Sequence, residues 1–434
     1  MARTTLVIFG VSGDLAQRKL LPALAAIEKK GQLPADFKLL GVTRRDISLD
    51  DVLSAECKHL SSKMELFQMN LEELSAYEEL KSKLGPSSDA QVIFYFAVPP
   101  SASRPIIRRL GQAKLNGSQT KLLLEKPFGV DFVSAEELIK ETQQHFKEGQ
   151  IYRIDHYMAK EMAQNIAVFL GGNVLFRDVW NNNYIDKIEV IASEEIGIEG
   201  RVVFYEQAGA LRDLVQSHLL QLTALVLMEP CPDVFDFSEV PSRRLAALSN
   251  IKPADPTRPG AIIRGQYEGY RKEVDNLDSS TETFVSMELE STDPKWQGVK
   301  LHLITGKALD RKFTEIRVYF KRAQIEEANL LTIRIQPREG IELDLWVKKP
   351  GYEQDLAKLP LEFNYEQHFG GNLPDAYEQV LVDAMRSRAN LFASSGEILA
   401  TWKILDPVLK AWGMSTDDLK FYKKGSTYQQ ILKS

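Results

Sequence analysis

Short, fully apolar runs set the rhythm of the first 150 residues. Leu6-Val7-Ile8-Phe9 is a continuous β-branched and aromatic run that ends at Gly10, and similar runs recur at 38–42, 65–69, 91–97 and 121–125. Runs this short, bounded by turn residues, predict buried strands. Between them, helical spacing of apolar positions appears at 14–30, about 72–83 and 102–113. Ser134 to Glu137 has the spacing of a capping box that would open another helix. Strands alternating with helices predict an α/β fold, a Rossmann-like doubly wound parallel sheet.

The texture changes from about residue 185. Strand patterns at 185–190, 282–291, 299–305, 314–320, 330–336 and 341–348 follow one another with few helices between them. That predicts a large, mostly antiparallel sheet. Helical patterns return at 375–388 and 396–411. The expected organisation is therefore a nucleotide-binding domain over 1–150 and a substrate-binding α+β domain over 151–434.

Bulk properties narrow the classes. A chain of 434 residues exceeds the size at which one core stops growing, which agrees with two domains. A net charge of −6 disfavours nucleic acid as the main partner, since backbone phosphates require a basic face. The most apolar stretch, Leu219 to Met228, is too short to span a bilayer, so no membrane role is expected. Cys57 and Cys231 are the only cysteines, and the first strand starts within four residues of the N-terminus. Both features predict a cytoplasmic protein.

The candidate chemistry begins at Gly10-Val-Ser-Gly13-Asp-Leu-Ala16, between a strand and a helix. Gly10 permits a tight turn, Gly13 lets backbone approach a pyrophosphate, and the helix N-terminus favours the anion. The spacing is G-x-x-G-x-x-A, weaker than the usual dinucleotide fingerprint. At the end of the second strand, Thr43-Arg44-Arg45 offers guanidinium groups where an acid would hold a ribose hydroxyl. That favours the 2′-phosphate of NADP over NAD. Acids at 46, 50 and 51 follow closely.

Further on, Glu125-Lys126-Pro127 follows the fifth strand, so Lys126 is delivered at the carboxyl edge of the sheet. Asp155, His156, Tyr157 and Lys160 crowd into six residues, and the last three can each donate to a phosphate dianion. His218 lies on an apolar helix five residues after Asp213. An alcohol dehydrogenation needs a base of near-neutral pKa, and a carboxylate can orient such a histidine. Asp213 is the carboxylate nearest in sequence. No histidine spacing suggests a metal.

Taken in order, the motifs GVSGDLAQRK (10–19), EKPFG (125–129), RIDHYMAKE (153–161), WNNNYIDKI (180–188), AGALRDLVQSHLLQ (208–221), GKALDRK (306–312) and PDAYE (374–378) resemble the glucose-6-phosphate dehydrogenase family. That resemblance implies NADP-dependent oxidation of a hexose 6-phosphate at C1 to a 6-phospho-lactone, in the oxidative pentose phosphate route. It implies His218 as general base, paired with Asp155 in preference to Asp213, and Lys126 beside the reacting centre. Lys19, His156, Tyr157, Lys160, Glu194, Asp213, Lys307, Lys312 and Gln336 are implied around the sugar and its phosphate. Gly10, Ser12, Gly13, Asp14, Leu15, Arg44, Arg45, Ala97, Pro99 and Lys126 are implied around the cofactor. A homodimer or homotetramer, paired through the large sheet, is also implied.

The chain departs from the family pattern where two glycines are replaced by Val202-Val203, which would tighten a sugar pocket. Two other readings stay open at this level. One is a dehydrogenase of a different sugar or sugar phosphate from the broader group that carries E-K-P. The other is a catalytically silent nucleotide-binding paralogue.

Overall fold

The computed structural model describes residues 3–85, 90–256, 258–322, 325, 327–370, 373–414 and 418–433. It divides into two compact units, Met1–Ala159 with Pro374–Ile398, and Lys160–Leu373 with Leu399–Ser434.

In the first unit, β1 (Arg3–Phe9), β2 (Phe37–Thr43), β3 (Met64–Gln68), β4 (Ala90–Phe96), β5 (Thr120–Leu124) and β6 (Ile151–Ile154) pair in parallel in the order 3-2-1-4-5-6. This is the doubly wound dinucleotide order, with its switch point between β1 and β4. Leu6, Ile8 and Phe9 are fully buried, as unalternated apolar runs require when helices cover both faces. Sheet pairing also runs past the expected boundary near 150. The short strand Phe392–Ala393 pairs antiparallel with β6. The Ala376–Met385 helix adds Val380, Leu381 and Ala384 to the core of this unit.

The residue spacing misplaced one helix start. Ser134 is not the cap but the third helical residue: Asp131 caps Phe132–Gln143 by accepting the Ser134 N–H at 2.8 Å. A short acid earlier in the chain outcompetes the serine because its carboxylate also meets the positive end of the helix.

The second unit is built on a ten-stranded sheet. Its strands are β7 (Ile185–Ser193), β8 (Ile251–Pro253), β9 (Ile262–Tyr267), β10 (Phe284–Ser291), β11 (Lys300–Gly306), β12 (Phe313–Phe320), β13 (Leu330–Gln336), β14 (Gly340–Lys348) and β15 (Leu356–Asn364), with Leu419–Tyr422 at the far edge. Most pairs are antiparallel; β11 with β7 and Leu419–Tyr422 with β9 are parallel. Aromatic packing of Tyr205, Tyr267, Tyr270, Phe284 and Tyr422 fills one core of this unit. Among the described residues, no helix is long and apolar enough to cross a membrane.

Candidate active site

The end of β1 shapes a candidate site in the first unit. Gly10 has φ +82°, and a Cβ there would lie 2.4 Å from the carbonyl oxygen of Ala97. Only glycine fits both constraints. The Gly13 N–H donates to the Gly10 carbonyl at 2.9 Å, which closes the turn before Ala16–Leu20 opens the helix. Gly10, Ser12, Gly13, Arg44, Arg45, Ala97 and Pro99 line one cavity of about 530 Å³. Asp14, Leu15 and Lys19 do not line it. Asp14 and Lys19 are exposed, Asp14 pairs with Arg18 at 2.6 Å, and Leu15 packs on the core.

Arg44 and Arg45 are exposed, and neither has an ion-pair partner among the described residues. Two of the nearby acids are engaged elsewhere. Asp50 lies 3.7 Å from Lys58, and Asp51 accepts the Ser48 N–H at 2.8 Å. Two unpaired guanidiniums on a cavity wall suit a phosphate dianion.

The carboxyl edges of β5 and β6 carry the next group. Lys126 follows β5, and its peptide bond to Pro127 is cis. Glu125 accepts the Tyr95 hydroxyl at 2.5 Å. Burial pushes the Glu125 carboxyl up, while the Tyr95 hydroxyl and the Lys126 ammonium pull it back and the Asp155 charge adds to the rise. Asp155, only 3% exposed, follows β6 and accepts the Tyr157 N–H at 2.9 Å. The His156 and Tyr157 rings stand 5.0 Å apart.

The second unit gathers a different set. Glu194 leaves β7, Lys307 leaves β11, and Asp213 and His218 sit on Leu211–Leu219, a segment wound as a π-helix. Such windings recur where a helix must aim side chains off the α-helical register. Lys307 is buried; its ammonium donates to Glu194 and lies 4.0 Å from the Asp213 carboxylate and 5.3 Å from the Tyr205 ring centroid. A buried ammonium needs such carboxylate compensation. His218 is 1% exposed. Lys312 and Gln336 line a cavity of about 790 Å³ with Arg311, Arg334 and Arg338, and Gln336 donates to the Thr314 hydroxyl at 3.1 Å. Lys160 precedes the Glu161–Gly172 helix. Of the two valines, Val203 is exposed and Val202 packs against the aromatic core.

Sequence reasoning overlooked Glu282 and Tyr205. The Tyr205 hydroxyl is buried and has no hydrogen-bond partner among the described residues. Glu282 is buried beside Gly209, where the chain takes φ +59° and ψ −177°. A glutamate between two threonines at a strand onset reads as an ordinary exposed alternation, so periodicity carried no warning.

Comparison with known proteins supplies the remaining link. The family model "Glucose-6-phosphate dehydrogenase, NAD binding domain" matches residues 7–165, and "Glucose-6-phosphate dehydrogenase, C-terminal domain" matches 167–432. The chain belongs to the glucose-6-phosphate dehydrogenase family. It is 34% identical to the glucose-6-phosphate 1-dehydrogenase of Rhizobium meliloti, with 97% of this chain and 93% of the relative covered. The Chlamydia muridarum enzyme of the same name is 35% identical, over 98% of this chain and 93% of its own length. Among solved structures, a glucose-6-phosphate dehydrogenase in complex with glucose 6-phosphate superimposes with a TM-score of 0.91 at 29% identity, covering 99% of this chain and 97% of that one. Within the glucose-6-phosphate dehydrogenase family, the first unit is the domain for a nicotinamide dinucleotide.

Proposed function

We propose that the chain oxidises the C1 hydroxyl of D-glucose 6-phosphate to 6-phospho-D-glucono-1,5-lactone, with NADP⁺ as the hydride acceptor. The observation that carries the reading is the buried His218 on the same π-wound helix as Asp213, whose carboxylate lies beside Lys307 and Glu194. This arrangement offers a base, plus carboxylates and an ammonium that recognise a polyol. Relatives named glucose-6-phosphate 1-dehydrogenase support the same substrate.

His218 takes the C1 hydroxyl proton, and Asp155 is the carboxylate that orients its ring and stabilises the imidazolium. Glu194, Asp213 and Lys307 hold sugar hydroxyls. His156, Tyr157, Lys160, Lys312 and Gln336, with Lys19, serve the phosphate end, and Lys126 eases departure of the hydride. The glycine turn fits a dinucleotide, since Gly10 permits the tight turn and Gly13 leaves the backbone before the helix open to a pyrophosphate. When bound, the nicotinamide accepts the hydride. Arg44 and Arg45 favour NADP⁺ over NAD⁺, because neither has an internal counter-ion among the described residues.

We also propose a cytoplasmic homodimer or homotetramer. Leu359 and Leu361 of β15 are 53% and 63% exposed, on the same face as Leu345 and Leu343 of β14. An apolar face on an edge strand is a natural pairing surface.

The test is a panel of glucose 6-phosphate, other hexose phosphates and free sugars with NADP⁺ and NAD⁺, followed by nicotinamide absorbance. Reduction of NADP⁺ with glucose 6-phosphate and none with free glucose is expected. No turnover with any phosphorylated hexose rejects the reading.

A further inference from the structure

The helix that carries Asp213 and His218 does not begin like an ordinary helix. Gly209 breaks it from the preceding Val202–Ala210 segment, with a φ/ψ pair that is open essentially to glycine alone. The restarted helix then has N–H groups with no intrahelical acceptor, and its own sequence supplies no side-chain cap. One distant residue meets this need twice. The backbone carbonyl of Glu282 accepts the Ala210 N–H at 2.9 Å, and its Oε1 accepts the Leu211 N–H at 2.9 Å. A Cβ on residue 209 would lie 2.2 Å from that same Oε1, so the glycine also makes room for the carboxylate.

The other side of Glu282 is anchored just as firmly. The next residue, Thr283, donates its N–H to the Gly265 carbonyl at 2.7 Å and accepts the Lys307 N–H at 2.9 Å. Its hydroxyl accepts the Tyr267 N–H and meets the Tyr422 hydroxyl at 2.8 Å. Residues 282–283 therefore tie the start of the Asp213 helix to the backbone of Lys307.

From this we infer that Glu282 is a positioning residue: a buried cap, supplied from β10's approach, that fixes the register of Asp213 and His218 against Lys307. The inference rests on the proposed roles of those three residues. Glu282 touches neither sugar nor cofactor in this scheme. It acts through the Leu211 N–H, so reach to that donor matters more than charge. Shortening the side chain by one methylene removes the reach and keeps the carboxylate, whereas an amide keeps an acceptor at full reach.

Steady-state kinetics of Glu282→Asp and Glu282→Gln separate these properties, with thermal melts confirming that both are folded. Glu282→Asp is expected to lose roughly 10- to 100-fold in kcat/KM for glucose 6-phosphate, as misplacement of reacting groups by an ångström does. Its KM for NADP⁺ stays at the wild-type value, and Glu282→Gln stays close to wild type throughout. A merely structural role would lower the melting temperature without dividing the two substrates in this way. Wild-type kcat/KM in Glu282→Asp, or equal losses in both variants, overturns the inference. Failure of the underlying functional reading would show separately, as a wild-type protein that turns over no hexose phosphate.

Discussion

At the scale of single residues, His218 bears the most weight. It is almost wholly buried, on a helix whose neighbours Leu214, Val215 and Leu219 are core residues. Sequence alone offered Asp213 as its partner because the two share a helix. The structure places the Asp213 carboxylate 4.0 Å from the Lys307 ammonium, which also donates to Glu194, so Asp213 belongs to that polar cluster. A general base removed from such a site costs kcat with little effect on affinity. For His218→Asn, kcat should fall by roughly 10²–10⁴ while KM for glucose 6-phosphate changes little. Stopped-flow and steady-state absorbance measure both, and an unaltered kcat would place the base elsewhere.

At the scale of elements, the chain was most legible where period and composition agreed. The five predicted strands of the first sheet appear as β1 to β5: four lie within one residue of their expected limits, and β1 starts three residues earlier than its apolar run, because fully buried strands are written as unbroken apolar runs. β15 was missed: Leu356 to Asn364 keeps an apolar alternation at 357, 359, 361 and 363, but Pro360 interrupts the run, and a proline argues against a strand except at an edge. Glu282 escaped for a different reason. Its partners, Leu211 and Gly209, lie about 70 residues earlier in the chain, and a tertiary cap leaves no local spacing to read. The glycine turn, by contrast, was readable and has a sharp consequence. Gly10→Ala forces a Cβ to 2.4 Å from the Ala97 carbonyl at φ +82°. It should cost about 1–3 kcal/mol of stability from the backbone conformation alone and weaken NADP⁺ binding. Urea unfolding with an unchanged slope, together with a cofactor fluorescence titration, checks both effects. A variant with the wild-type midpoint and affinity would mean that the turn relaxes freely.

At the scale of the whole molecule, the proposed oligomer rests on the edge of the large sheet. β15 is an edge of the ten-stranded sheet and presents Leu359 and Leu361 to solvent, opposite Leu345 and Leu343 of β14. Natural edge strands usually carry charge or prolines at such positions, since open backbone donors beside apolar side chains invite pairing. Pro360 supplies one such block, but it points to the opposite face from the two leucines, as alternate residues of a strand must. The apolar face is thus left for a partner, and a second copy of the same chain is the partner that a symmetric oligomer requires. If this face joins subunits, Leu359→Glu with Leu361→Glu buries two unpaired charges at the interface and should release a species of 49.1 kDa. Light scattering after size exclusion reads this directly. The wild-type protein should elute at a multiple of that mass, and a doubly substituted protein that keeps the wild-type mass would move the interface to another surface.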